Sequence, residues 1–151
     1  MIGITGTHSI IKSSTGEKEM KVSNEPPTPE EYCELRVICG LAAKTLDAAR
    51  TALPRSLYTV TVRDQGKLVG MGRVVGDLGC HVQIVDIAVR PSHQKRGISH
   101  KIMKEIMKFI ELNVPSCAFV NLFADVDFLY QKYGFVLGEK TKGMYLQRST
   151  N

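Results

Sequence analysis

The chain has no tryptophan, only four cysteines and no long apolar run. No stretch approaches the roughly 20 apolar residues that a membrane-spanning helix needs, so no membrane association is expected. The cysteines show no Cys-x-x-Cys spacing, so no metal site is expected. The polar start, MIGITGTHSIIKSSTG, lacks the apolar core of a signal peptide, and we therefore expect a cytoplasmic protein with reduced thiols.

The formal net charge of +5 suits nucleic acid, a membrane surface or an anionic cofactor. Between Asp86 and Glu105 there is no acidic residue, and five basic residues fall there: Arg90, Lys95, Arg96, Lys101 and Lys104. No basic surface interleaved with aromatic residues accompanies them, so a nucleic-acid partner is not expected. The local charge favours an anionic cofactor.

The length of 151 residues fits a single domain. We expect residues 1–18 to form a flexible extension or an extra edge strand, and residues 19–151 to form the domain. Strand and helix patterns follow the order βααβββαβαββ, which predicts an α/β fold. The last two strands are predicted at Phe135–Leu137 and Gly143–Leu146, and an apolar stripe from Ile98 to Ile110 predicts a long amphipathic helix.

The most informative segment is a basic turn between an apolar strand and this long helix. The first turn of a helix offers unpaired N–H groups and a partial positive charge, which together can hold a diphosphate. Gly97 has no β-carbon to obstruct a ligand, while Lys95 and Arg96 add positive charge. Ordinary surface helices also begin in this way, so the turn alone leaves both interpretations open.

Two segments taken together resemble the GNAT superfamily of N-acetyltransferases. The first is Ile87-Ala88-Val89 followed by Gln94-Lys95-Arg96-Gly97-Ile98-Ser99, and the second is Phe128-Leu-Tyr-Gln-Lys-Tyr-Gly-Phe135. The resemblance covers about residues 19–148. It departs from the family pattern at Ser99, where Gly or Ala is usual, and we expect somewhat weaker cofactor binding there.

The resemblance implies a fold and a cofactor. The fold is a mixed central sheet with helices on both faces, in which the fourth and fifth strands, His81–Val89 and Ala118–Phe123, are splayed apart. The cofactor is acetyl-CoA, used as a co-substrate. The residues implied to bind it are Ile87, Ala88 and Val89 along the pantetheine arm, Gln94, Lys95, Arg96, Gly97, Ile98 and Ser99 at the diphosphate, and Tyr133.

The resemblance also implies direct attack of a primary amine on the thioester, with a small-molecule amine favoured. A protein lysine or N-terminus as acceptor, and a non-catalytic acyl-CoA-binding module, remain alternatives. Tyr130 matches the tyrosine that protonates the departing thiolate. Gln83 and Val85 stand where the family often places a base and cannot take a proton, so a water chain ending at Asp86 or His81 is expected instead. Strand alternation turns Asp86 to the other face unless a bulge intervenes.

The acceptor side of the site is less specified by the sequence. Arg36 and Leu41, near the end of the first helix, and the charged residues Arg73 and Asp125 are expected to bind the substrate. Each of these also fits a structural role, and Asp125 fits a helix cap. The expected partners are acetyl-CoA and an amine, and a homodimer is left open.

Overall fold

A single mixed sheet forms the centre of the computed structural model, which describes Ser9–Ile10 and residues 20–148. Its six strands lie in sequence order: β1 Ser9–Ile10, β2 Met20–Ser23, β3 Tyr58–Asp64, β4 Lys67–Gly76, β5 His81–Val89 and β6 Phe119–Leu122. All neighbouring strands are antiparallel except β5 and β6, which are parallel. The predicted fourth and fifth strands therefore correspond to β5 and β6.

Helices cover both faces of this sheet, as the resemblance implied. They are α1 Pro29–Ile38, α2 Leu46–Ala52, α3 Ile98–Asn113 and α4 Asp127–Gln131. The apolar stripe of α3 packs with Val60 and Val62 of β3 on one face. On the other face, Tyr32 and Leu35 of α1 pack against Met71 of β4. Within the described residues, no helix has the length and apolar character needed to cross a bilayer.

Glycine in β4 lets α3 lie close to the sheet. A β-carbon at Gly72 would come within 2.6 Å of Ile87 Cδ1 and 2.7 Å of Ile102 Cγ2, and one at Gly70 would lie 2.8 Å from Ile98 Cγ2. These distances are too short for real carbon contacts, so larger residues would push α3 outward. The small residues thereby fix the first turns of α3 against β4 and β5.

A capping box fixes the start of α1. The Thr28 hydroxyl accepts a hydrogen bond from the Glu31 N–H (3.2 Å), and the Glu31 carboxylate accepts one from the Thr28 N–H (2.9 Å). Pro29 occupies the first helical position, where its missing N–H costs no hydrogen bond. Glu31 also pairs with both terminal nitrogens of Arg63 on β3, at 2.5 and 2.8 Å. The cap and the ion pair together hold α1 in place on the sheet.

The prediction of a final strand pair was wrong. Neither Phe135–Leu137 nor Gly143–Leu146 is a strand, and the described residues after Gly134 contain no helix or strand. Apart from Phe135, which is partly buried against the core, the apolar side chains of these segments lie in solvent, with Val136 and Met144 each 89% exposed. A strand pair is stable only when it buries an apolar face, and these two segments bury none of their apolar side chains completely.

Part of the expected N-terminal extension is an edge strand. Ser9 and Ile10 pair antiparallel with Val22 and Lys21 of β2. The other residues of the 1–18 segment lie outside the described residues, as do residues 149–151. The boundary of the domain near residue 19 stays a prediction.

We expect Glu31→Gln to lower the free energy of unfolding by about 1 kcal/mol at pH 7, after allowance for solvent screening of a partly exposed pair. Hydrogen bonds from Arg63 are the largest cause that lowers the pKa of Glu31 from 4.5 to about 2. Because this pKa is lower in the folded chain, the stabilisation is complete above pH 4.5 and disappears as the pH falls towards 2.

Urea unfolding of both proteins between pH 2 and pH 7 measures this effect. Glu30→Gln is the matched control, since the Glu30 side chain is 62% exposed and lies 3.5 Å from Arg50. Its cost should stay below about 0.5 kcal/mol. A cost of Glu31→Gln that did not change with pH would contradict the assignment.

Candidate functional site

A cavity opens where β5 and β6 part. The two strands pair only over His81–Ile84 and Phe119–Leu122, while β5 continues to Val89. The cavity has a volume of about 100 Å³. Its polar lining residues are Arg36, Asp86, Asp125 and Tyr130, and its apolar ones are Leu41, Ile84, Val85, Ile87, Leu122 and Phe123. The cavity therefore lies beside the part of β5 that β6 does not reach.

A β-bulge at Asp86 interrupts β5 beside this cavity. Met71 and Arg73 of β4, two positions apart, pair with Ala88 and Val85 of β5, three positions apart, so β5 contains one extra residue. Asp86 itself has a left-handed backbone with φ of +59°. The bulge turns the Asp86 side chain towards α1, although regular alternation from Ile84 would place it on the α3 face.

A buried ionic cluster holds Asp86 in this conformation. Its Oδ2 accepts hydrogen bonds from Tyr32 Oη and from Arg73 Nε, each at 2.8 Å, and its Oδ1 accepts one from Arg36 Nη1. Both arginines are only 7% exposed. Their guanidinium groups lie over the Tyr32 ring, at 5.5 Å for Arg36 and 5.3 Å for Arg73. We call these four residues the Asp86 cluster.

The Asp86 cluster also joins the surrounding elements. Arg73 Nη1 donates to Ser56 Oγ (2.8 Å), and Arg36 Nε donates to the Ala42 carbonyl (2.9 Å) in the connection between α1 and α2. Burial, and next the charge of Asp86, raise the pKa of the Tyr32 phenol above 10. The phenol therefore keeps its proton and acts as a donor to the carboxylate. The cluster contains one carboxylate and two guanidinium groups, which leaves one positive charge in excess.

Tyr130 lines the cavity from the opposite side. Its ring is half-buried and makes an edge contact with Phe135, with 6.4 Å between ring centroids. Its carbonyl accepts hydrogen bonds from the N–H groups of Tyr133 (2.9 Å) and Phe135 (3.3 Å), which close the turn after α4. Burial, and next the charge of Asp125, raise the pKa of Tyr130 above 10. The phenol thus carries its proton at neutral pH.

The N-terminal end of α3 is open. Gly97 is its N-cap residue, with φ of +74°, and no side chain of the described part of the chain caps this helix. A β-carbon at Gly97 would meet no atom within 4 Å. Lys95 is also left-handed, with φ of +60°, a backbone state found in anion-binding turns. The turn predicted to hold a diphosphate therefore presents free main-chain donors, next to the exposed side chains of Lys95 and Arg96.

The remaining residues predicted to bind the cofactor surround this opening. Gln94 Nε2 donates a hydrogen bond to the Val89 carbonyl (3.1 Å). This bond ties the turn to the end of β5, and it already occupies the carbonyl oxygen. Tyr133 Oη donates to the His100 carbonyl (3.0 Å) and so ties the turn after α4 to the first turn of α3. Burial raises the pKa of the Tyr133 phenol. The side chains of Ala88 and Ile98 are buried in the core, which leaves only their main chain for a ligand.

The structure brings together five of the residues predicted for catalysis and substrate binding. Arg36, Leu41, Asp86, Asp125 and Tyr130 all line the cavity. The geometry does not favour Asp86 as a base, because its two oxygens already accept hydrogen bonds from three donors.

Two predicted residues lie outside the cavity. His81 is exposed at the start of β5, where its ring lies 6.3 Å from that of Phe119. Arg73 is buried behind Asp86 and does not line the cavity.

The sequence analysis missed the part played by Tyr32 and the contribution of the end of β6. Tyr32 lies four residues before Arg36, a spacing that places both on one face of α1. Its contact with Asp86 spans 54 positions of sequence, for which the local pattern gives no signal. Leu122 and Phe123 line the cavity because β6 ends there.

No group of three or more His, Cys, Asp or Glu side chains suited to a metal ion occurs within the described residues.

Comparisons with known proteins agree with this architecture. A family model described as an acetyltransferase (GNAT) domain matches residues 54–137. The solved structure of a probable acetyltransferase from meticillin-resistant Staphylococcus aureus is 45% identical, with a TM-score of 0.82, and the match covers 85% of this chain and 99% of that one. No curated protein matches the sequence significantly.

More distant solved structures share the fold. A GNAT family acetyltransferase from Streptococcus pneumoniae is 24% identical, with a TM-score of 0.70, over 86% of this chain and 99% of that one. A GNAT family acetyltransferase from Brucella melitensis, in complex with acetyl-CoA, is 17% identical, with a TM-score of 0.62, over 80% of this chain and 85% of that one.

We expect Asp86→Ala to lower the free energy of unfolding by about 3–5 kcal/mol, because it leaves two buried guanidinium groups without their shared counter-charge. Glu34→Ala is the control, since Glu34 pairs with Arg90 at 3.2 Å but is 54% exposed. Its cost should stay below about 0.5 kcal/mol. Denaturant unfolding measures both, and equal costs would contradict a structural role for the Asp86 cluster.

Proposed function

Because the chain belongs to the GNAT acetyltransferase family, we propose that its cavity receives the primary amine of a small molecule for acetylation. The chain is an acetyl-CoA-dependent N-acetyltransferase, and acetyl-CoA supplies the activated acetyl thioester when bound. The observation that carries the proposal is the placement of the cavity. It lies at the parting of β5 and β6, with the Tyr130 phenol in its wall.

The open end of α3 supports a diphosphate site. The first-turn N–H groups and the partial charge of the helix favour an anion, and the exposed Lys95 and Arg96 add two positive charges. The main chain of β5 beyond Ile84 has no partner on the β6 side among the described residues, so it is free to bind the pantetheine arm. For the Val89 carbonyl to take part, its bond to Gln94 must first open.

In the transfer, a bond forms between the amine nitrogen and the acetyl carbon, and the carbon–sulfur bond breaks. Tyr130 donates its phenolic proton to the departing sulfur. The proton lost by the amine passes to water and towards Asp125, which lines the cavity and has no ion-pair partner among the described residues. We do not assign this step to Asp86, which is fully engaged, or to His81, which lies outside the cavity.

The size of the cavity favours a small acceptor over a protein chain. Its volume is about 100 Å³, and residues of α1, β5, β6, α4 and the segments next to them line it. Release of free thiol from acetyl-CoA, measured over a panel of small amines and of peptides with a free lysine or N-terminus, tests this. The proposal expects the highest kcat/KM among the small amines. Preference for peptides would overturn it. Binding of acetyl-CoA with no thiol release for any acceptor of the panel would indicate binding without transfer.

We expect Tyr130→Phe to lower kcat by about 10²–10³-fold, since it removes the proton donor, and to leave the Kd for acetyl-CoA within about twofold. Because the pKa of Tyr130 is raised above 10, the wild-type kcat should rise with the fraction of neutral amine and fall only above pH 10. This alkaline fall should be absent in the variant.

Steady-state rates between pH 6 and pH 11, together with calorimetric titration of acetyl-CoA, measure both effects. Tyr145→Phe is the control, since the Tyr145 side chain is 87% exposed and does not line the cavity. An unchanged kcat in Tyr130→Phe would remove Tyr130 from the reaction.

We expect Gly97→Ala to weaken acetyl-CoA binding at least about tenfold, because its β-carbon would enter the open space at the end of α3. Gly66→Ala is the matched control. Gly66 has a similar φ of +79° and also has no atom within 4 Å, but it lies in the turn between β3 and β4. Both variants carry the same backbone strain, so only Gly97→Ala should change the Kd measured by calorimetry. Equal Kd values would contradict the placement of the diphosphate.

A further inference from the structure

We propose that the amine acceptor carries a carboxylate, which binds to Arg36 in the cavity. The inference rests on the proposed function and narrows its substrate class to amino acids and related small zwitterions.

Arg36 has a free donor at the cavity wall. Its Nε donates to the Ala42 carbonyl (2.9 Å), and its Nη1 lies near both Asp86 Oδ1 and Tyr32 Oη. Its Nη2 makes no hydrogen bond to a described residue and is not among the fully buried polar atoms without a partner. The side chain nevertheless lines the cavity and is almost entirely withdrawn from solvent. A ligand in the cavity is therefore the group placed to satisfy this nitrogen.

The charge of the Asp86 cluster points to an anion. Two buried guanidinium groups share one carboxylate, so one positive charge has no counter-charge within the cluster. Arg73 directs Nη1 to Ser56 and the Ala52 carbonyl, away from the cavity lining. The excess charge thus faces the cavity through Arg36. A single carboxylate would neutralise it, and a guanidinium binds a carboxylate with two parallel hydrogen bonds.

The Asp125 carboxylate in the cavity lining suits the amine end of the same molecule. Asp125 carries the only other carboxylate of the cavity lining, and its charge acts on Tyr130. It would attract an ammonium group and would repel a second anionic group. Leu41 and Leu122 provide apolar surface in the same lining. The cavity lining therefore combines the guanidinium of Arg36 with the carboxylate of Asp125, and the two together fit a zwitterion.

Matched acceptors test the inference in the wild-type enzyme. α-Amino acids, and ω-amino acids of increasing chain length, are compared with their primary amides by thiol release from acetyl-CoA. Rates are expressed per concentration of unprotonated amine. We expect kcat/KM to be at least tenfold higher for the acid than for the amide in the best pair, because the amide leaves Arg36 without its counter-charge. Acid-to-amide ratios near one in every pair would overturn the proposal.

Two variants locate the effect. Arg36→Gln should reduce the acid-to-amide ratio to about one. Arg73→Gln also removes the excess charge of the Asp86 cluster but leaves the Arg36 guanidinium in the cavity lining, so it should lower the ratio less. Thermal unfolding establishes whether each variant is folded. If one variant is unfolded, the comparison of acids with amides in the wild-type enzyme alone tests the proposal. An equal fall of the ratio in both variants would contradict direct binding by Arg36.

The outcomes of these experiments distinguish failure of this inference from failure of the proposed function on which it rests. If amides and acids release thiol at equal rates, acetylation of small molecules still stands, and only the inference that the acceptor carries a carboxylate is overturned. If peptides are the only acceptors that release thiol, the proposed function and this inference both fail.

Discussion

The buried pairing of Asp86 with two arginines is the constraint on which the site depends. A carboxylate and two guanidinium groups removed from water are tolerated only when each is closely paired. Here the pairing keeps a non-glycine residue in a left-handed conformation within β5. That conformation adds one residue to the strand and changes which face each later side chain occupies. The course of β5 along the cavity thus follows from an electrostatic requirement.

The bulge also connects the two halves of the site. Beyond it, Ile87 packs towards Gly72, where the missing β-carbon allows α3 to lie close to the sheet. The start of α3 is therefore held near the end of β5, and Gln94 adds a hydrogen bond to the Val89 carbonyl. As a result, the open helix terminus and the cavity lie along the same strand. An elongated coenzyme with a diphosphate near one end and a reactive thioester at the other fits this arrangement.

Local patterns were sufficient to predict much of this architecture. The apolar run of β5 and the stripe of α3 each depend on neighbours within a few residues. The turn at Gly97 was predicted on the same basis, and its left-handed backbone explains why glycine stands there.

What could not be predicted depends on contacts between distant positions. Tyr32 and Asp86 meet only because α1 packs over the bulge, and a bulge leaves no periodic signal of its own. The opposite error occurred at Gly143–Leu146, where a strand was predicted but the side chains of Met144, Tyr145 and Leu146 are exposed. In both cases burial, which the local sequence does not specify, decided the outcome.

Backbone amide NMR during titration with acetyl-CoA tests most directly whether β5 and the start of α3 form one coenzyme site. The account predicts that the largest shift changes fall on two segments, Ile87–Val89 and Lys95–His100, and that the amides of β2 and β3 stay unchanged. Saturable changes confined to other elements, with both segments unaffected, would contradict it.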